Sequence, residues 1–172
     1  MYEEIKKIWI IDVDGTLTDG GIYYDNNENE IKKFNTKDAA GFFALHFLGA
    51  KSVVITGRKC KATERRLKEL NVSHIFQGVK NKKQFLEEFL INNEIAFNDV
   101  AYIGDDLNDF AIMQNCGFKA CPADSCNEIK SIADYISHIK GGNGAVRDII
   151  EYYLKQHGQW KNIINKIYGA GI

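Results

Sequence analysis

The chain has 172 residues, 45% of them hydrophobic, which is enough for one domain with a sizeable core. A formal net charge of −1 offers no basic surface for nucleic acid and no polybasic patch for a membrane. No apolar run approaches the roughly 20 residues of a bilayer span, and the opening Met-Tyr-Glu-Glu has no leader pattern. Cys60, Cys116, Cys121 and Cys126 form no Cys-x-x-Cys pair, so reduced thiols in a cytoplasmic protein are expected rather than a disulfide frame. His46, His74, His138 and His157 are scattered, and none is assigned to a metal.

In chain order, residues 8–11 form an apolar run with no polar face, as in a parallel strand buried on both sides. Two short β-type runs around 26–29 predict a hairpin over about 21–35. A helix over 37–48, a buried strand over 52–56, a charge-rich helix over 60–71 and a short strand over 74–76 follow. Phe85, Leu86, Phe89 and Leu90 mark an amphipathic helix over 81–93. A strand over 99–103, a helix at about 107–115 and late strands at 118–121 and 134–137 come next. Val146, Ile149, Ile150, Tyr153 and Leu154 give a last apolar helix stripe, read as core packing. The alternation predicts a Rossmann-like α/β three-layer sandwich with a mainly parallel sheet, in one domain over 1–172.

Chemistry concentrates at strand ends. The first apolar run stops at Asp12-Val13-Asp14-Gly15-Thr16, and the run at 100–103 stops at Gly104-Asp105-Asp106-Leu107-Asn108-Asp109. One Asp-x-Asp-Gly is also a common solvated turn. Two buried strands that deliver acids to one sheet edge instead make an oxygen-only site suited to Mg²⁺. Thr56-Gly57-Arg58, past another buried strand, offers a hydroxyl, an exposed amide and a guanidinium to a phosphate. Lys82 opens a helix and opposes its dipole, so it wants an anion; on physics alone Lys80 or Lys83 serves equally. Phosphoryl transfer needs this inventory.

Those four segments, in this order, resemble the motifs of the haloacid dehalogenase-like phosphatases over nearly the whole chain. Asp19-Gly20, residues 33–38, Thr56-Gly57-Arg58-Lys59, Phe76-Gln77-Gly78 and residues 141–147 are most similar to the 3-deoxy-D-manno-octulosonate 8-phosphate phosphatases. The resemblance implies that Asp12 is the nucleophile and Asp14 the general acid and base, with Thr56 and Lys82 on the phosphoryl oxygens. It implies Mg²⁺ held by Asp12, the Asp14 carbonyl and Asp105. Asp106 is read as outside the ligand set, Asp109 as structural, and Asn108 as binding substrate or orienting the acidic loop. Neither the interval from Asp14 to Thr56 nor that from Thr56 to Lys82 has room for a cap domain.

A capless site needs another cover. The resemblance implies a homotetramer in which the hairpin and the glycine loop at 141–144 line a neighbour's site. Ile22, Tyr23, Ile31 and Phe34 suit that contact or packing on their own domain. Substrate binding is expected from Asn35, Thr36, Lys37 and Asp38 of one subunit, with Arg58 and Arg66 of another reading a carboxylate. Lys37-Asp38-Ala39, where that family usually has Arg-Asp-Gly, and Phe43, where many relatives carry an arginine, depart from the eight-carbon pattern; the lost cation is shared with some enzymes of nine-carbon sialic-type keto acid 9-phosphates, and Arg58 points back. The rivals are thus the nine-carbon phosphatase, a phosphomutase, which the missing cap disfavours, and a non-catalytic oligomeric scaffold. Docking of the tail over 157–172 is open.

Overall fold

The computed structural model describes residues 5–169 and 171; the start read above for a leader, and positions 170 and 172 of the tail, lie outside them. Six strands form one sheet in the order β5 (His74–Gln77), β4 (Lys51–Thr56), β1 (Ile8–Ile11), β6 (Val100–Ile103), β7 (Phe118–Cys121) and β8 (Tyr135–Ile136). All neighbouring pairs are parallel. The order runs away from β1 in both directions, so the crevice between β1 and β6 is a topological switch point.

Alternation along the strands divides the core in two. Trp9 and Ile11 of β1, Val54 of β4, and Ala101 and Ile103 of β6 face one side. Four helices cover that side: α1 (Asp38–Phe47), α2 (Lys61–Glu69), α6 (Ala145–Gln156) and α7 (Trp160–Tyr168). Ile8, Ile10, Val53, Ile55, Val100 and Tyr102 face the other, under α3 (Lys82–Asn92), α4 (Leu107–Met113) and α5 (Asn127–Ile132). This is the expected three-layer α/β sandwich. A core leucine here, such as Leu45 or Leu86, carries about 2–5 kcal/mol against truncation to alanine.

Helix α5 and a short turn of helix at Phe97–Asp99 had no clear apolar period and were not expected. The tail docks on its own chain: Trp160, Ile163 and Ile164 are buried and Ile167 packs beside them, the i, i+3, i+4, i+7 stripe of an amphipathic helix. The late strand shrinks to Tyr135–Ile136. In the hairpin only β2 (Tyr23–Tyr24) and β3 (Glu30–Ile31) pair, antiparallel, with a Thr18–Phe34 bridge at the base. The Asp25 carboxylate fixes its turn, accepting the N–H groups of Asn27 and Asn29 at 2.8 Å. Ile22, Tyr23 and Ile31 are exposed, whereas Phe34 packs on its own core.

Candidate active site

Parallel register brings the acids together. Ile11 lies level with Val54 and Ile103, and the Asp12 N–H extends the ladder to the Ile103 carbonyl at 2.9 Å. Asp12 therefore leaves β1 beside the loop that carries Asp105. Gly15 makes the turn that follows with φ of +93°; a Cβ there would stand 2.0 Å from Asp105 Oδ2, so only glycine admits the second acid. Carboxylate oxygens of Asp12, Asp105 and Asp109 all lie within 4.8 Å of one another.

One buried cation serves this cluster. Lys82 Nζ donates to Asp12 Oδ1 at 2.5 Å and to Asp109 Oδ1 at 2.7 Å. It shares the inward stripe of α3 with Leu86 and Leu90, while Lys80 and Lys83 are exposed. The i, i+4, i+8 spacing of those three positions decides among the lysines. Asp109 is buried and takes three donors: besides Lys82 it accepts the Tyr102 hydroxyl at 2.7 Å and the Asp105 N–H at 3.3 Å. Asp105 Oδ1 accepts the Thr16 hydroxyl at 3.1 Å.

Three carboxylates against one ammonium leave this centre negative. Burial, then the nearby Asp109 charge, hold the Asp12 carboxyl well above its ordinary range despite Lys82. Burial and Asp109 push Asp105 up to about 7. Burial works against the Lys82 charge, but Asp12 and Asp109 outweigh it and raise its pKa. An all-oxygen donor set with surplus negative charge fits a hard divalent cation. Asp12, Asp105 and Asp109 all lie close enough together to hold it, and Asp109 already takes more protein donors than the other two.

The cleft above, of about 260 Å³, is lined by Asp12, Asp14, Thr56, Gly57, Arg58, Asp106 and Asn108. Thr56, at the end of β4, donates to Asp14 Oδ2 at 3.2 Å. Asp106 is exposed and caps α4, accepting the Leu107 N–H at 2.8 Å.

The other expected substrate residues do not gather here. Thr36 and Lys37 line a separate cleft with Arg147, Ile164 and Tyr168. Arg66 does not join Arg58; it bonds Glu69 at 3.2 Å and the Asn35 carbonyl of its own chain at 3.4 Å. Asp38 is buried, and its carboxylate accepts the Arg147 N–H at 3.0 Å, closing the first turn of α6 instead of facing a ligand. The glycine loop lies against its own chain, with the Gly142 N–H on the Thr16 carbonyl at 3.2 Å.

Burial pushes Asp38 up to about 6, against the Arg147 N–H and the charges of Arg66 and Arg147. A carboxyl raised on folding adds stability at pH values below its unfolded value of 3.8, and that part is lost as pH rises through about 6. Asp38→Asn keeps an acceptor and abolishes this loss. Urea unfolding is expected to show the variant about 1–3 kcal/mol more stable than the parent at pH 8, with little difference at pH 4.

Sequence reasoning passed over Lys32. Its side chain is 2% exposed, and Nζ contacts Asp14 Oδ1 and lies 3.0 Å from Glu30 Oε1. The same Glu30 oxygen accepts Arg58 Nε at 2.9 Å, and Tyr24 meets Arg58 at 3.2 Å. So one face of the hairpin closes on its own site. Alternation places Tyr24, Glu30 and Lys32 on that face, a signal the sequence carried.

A family model described as haloacid dehalogenase-like hydrolase matches residues 71–150. A 3-deoxy-D-manno-octulosonate 8-phosphate phosphatase of Salmonella typhi is 39% identical over 153 residues, 89% of this chain and 81% of that protein. A crystal structure of the phosphatase of that name from Moraxella catarrhalis, in complex with magnesium, phosphate and a KDO molecule, superposes with a TM-score of 0.89. It is 37% identical, and the match covers 94% of this chain and 92% of that one. The cobalt-bound phosphatase of Haemophilus influenzae superposes with a TM-score of 0.83 at 31% identity, covering 90% of each chain. The chain belongs to the haloacid dehalogenase-like hydrolases and, among them, to the 3-deoxy-D-manno-octulosonate 8-phosphate phosphatase family.

Proposed function

We propose that the chain is a Mg²⁺-dependent phosphoric monoester hydrolase that cleaves 3-deoxy-D-manno-octulosonate 8-phosphate to the free sugar acid and phosphate. The observation that carries this reading is the convergence of Asp12, Asp105 and Lys82 below a cleft walled by Asp14 and Thr56. The names of its relatives supply the substrate.

An Asp12 oxygen attacks phosphorus as the bond to the sugar oxygen breaks, and Asp14 gives that oxygen its proton. Asp14 then takes a proton from water, whose oxygen attacks the aspartyl-phosphate and restores Asp12. Thr56 and Lys82 hold phosphoryl oxygens. Mg²⁺ would be held by Asp12, the Asp14 carbonyl and Asp105, and would supply charge neutralisation between carboxylate and phosphate. Arg58 and Asn108 bind substrate from the same chain; Asn35, Thr36 and Lys37 reach a neighbour's cleft in a homotetramer. The exposed Ile22, Tyr23 and Ile31 favour that assembly, and four free cysteines favour a cytoplasmic setting.

Turnover of the eight-carbon and nine-carbon keto acid phosphates, with Mg²⁺ and with chelator, tests the proposal. A preference of at least about tenfold for the eight-carbon ester is expected, lost on chelation. Equal or reversed preference overturns the substrate, and hydrolysis of no phosphomonoester overturns the activity.

A further inference from the structure

The hairpin has two unlike faces. Tyr23 and Ile31 pair across it and point outward, apolar and exposed. Tyr24, Glu30 and Lys32 share the other face: the Lys32 side chain is enclosed, while Tyr24 stays exposed and accepts from Arg58 through its hydroxyl. A hairpin that served only to cover a neighbour would have no need to bury a lysine against its own strand ends. Lys32 is nonetheless almost wholly enclosed, and both carboxylates it meets belong to its own chain.

The contacts at Asp14 are distributed between its two oxygens. Oδ2 receives the Thr56 hydroxyl from the end of β4, and Oδ1 receives the Lys32 ammonium from the hairpin. A carboxylate with one donor on each oxygen has little freedom to rotate. Glu30 in turn holds Lys32 and Arg58 with a single oxygen, so strand β3 is tied to the loop after β4. Burial disfavours the Lys32 charge, but the bonds to Asp14 and Glu30 restore it.

We infer that Lys32 is a positioning residue: through its bond to Asp14 the hairpin fixes the attitude of the group that passes the proton to the leaving oxygen. Glu30 orients Lys32 for that task. The inference rests on the acid–base role proposed for Asp14, and it concerns a hairpin whose expected role was contact with a neighbour.

The test compares two leaving groups. Nitrophenolate departs from p-nitrophenyl phosphate without needing a proton, whereas an alkoxide leaving from glycerol 2-phosphate does need one. Full-length Lys32→Met, Lys32→Arg and Glu30→Gln are assayed on both esters with Mg²⁺. For Lys32→Met, kcat/KM, which reports the steps up to the aspartyl-phosphate, is expected to fall about ten- to a hundredfold on the alkyl ester with less than about threefold change on the aryl ester; kcat, which also includes the water step that Asp14 serves, falls on either ester. Lys32→Arg should recover part of the loss, and Glu30→Gln should fall between.

Equal losses of kcat/KM on the two esters, or no such loss on the alkyl ester, overturn the inference. If Lys32→Met does not fold, the other two variants give the same comparison. A parent enzyme that hydrolyses these simple esters but not the eight-carbon substrate refutes the substrate reading alone. A parent that hydrolyses none refutes the phosphatase reading, and this inference with it.

Discussion

Asp12→Asn is expected to lower kcat by about 10⁴-fold or more in the presence of Mg²⁺, because no other carboxylate in the cleft is held where Asp12 is. Asp109 is held by Lys82, Tyr102 and the Asp105 amide and does not line the cleft, so it is not placed to substitute as nucleophile. The same substitution should stabilise the protein in chelator. It removes a carboxyl that burial, then the Asp109 charge and in part the Asp105 charge, hold well above its ordinary range. In EDTA at pH 8 the gain should be about 1–2 kcal/mol in urea unfolding, with little difference at pH 4. Sign follows from linkage: a carboxyl raised on folding stabilises below its unfolded value of 3.8, and this part is lost as pH rises through its raised folded value. Residual activity within tenfold of the parent would remove Asp12 from the reaction.

Lys82→Met is the opposite case. The methionine stem fills the space beside Leu86 and Leu90, but Asp12 and Asp109 keep their burial and lose their shared cation. Breaking a buried pair from one side leaves charge uncompensated, and a loss of about 3–5 kcal/mol is expected. Turnover should fall about 10²- to 10³-fold as a donor to the phosphoryl group disappears. Adding Asp109→Asn should return part of the stability and none of the rate. Urea midpoints and kcat on the same preparations give both numbers, and a stable, active Lys82→Met would show that the buried ammonium is dispensable.

The sheet and both acidic loops were legible because β1 and β6 are short apolar runs ended abruptly by aspartates, and parallel register then fixes where those aspartates fall. Thr56 was legible on the same ground, as the last residue of a buried strand. Lys82 was readable in principle from its spacing to Leu86 and Leu90, which Lys80 and Lys83 lack. Asp109, the last of three acids over 105–109, was read as structural, but without a partner. Its partner left a signal, since a tyrosine in an otherwise aliphatic strand needs a buried acceptor for its hydroxyl. The burial of Asp38 was not legible, because an exposed acid and a buried helix-closing one look alike in sequence; only the docking of α1 on α6 tells them apart. Lys32 was missed because a two-stranded hairpin has no core face to calibrate which side points inward.

The order of the strands also bears on how the chain assembles. Asp12 is made early and both of its acidic companions late, with Lys82 between them in the sequence. A nascent polypeptide can collapse β1, β4 and β5 with Lys82 already at hand to pair with Asp12. The mutual aversion of the carboxylates begins only when β6, made after Lys82, closes against β1. The counter-ion is thus in place before the conflict it must offset.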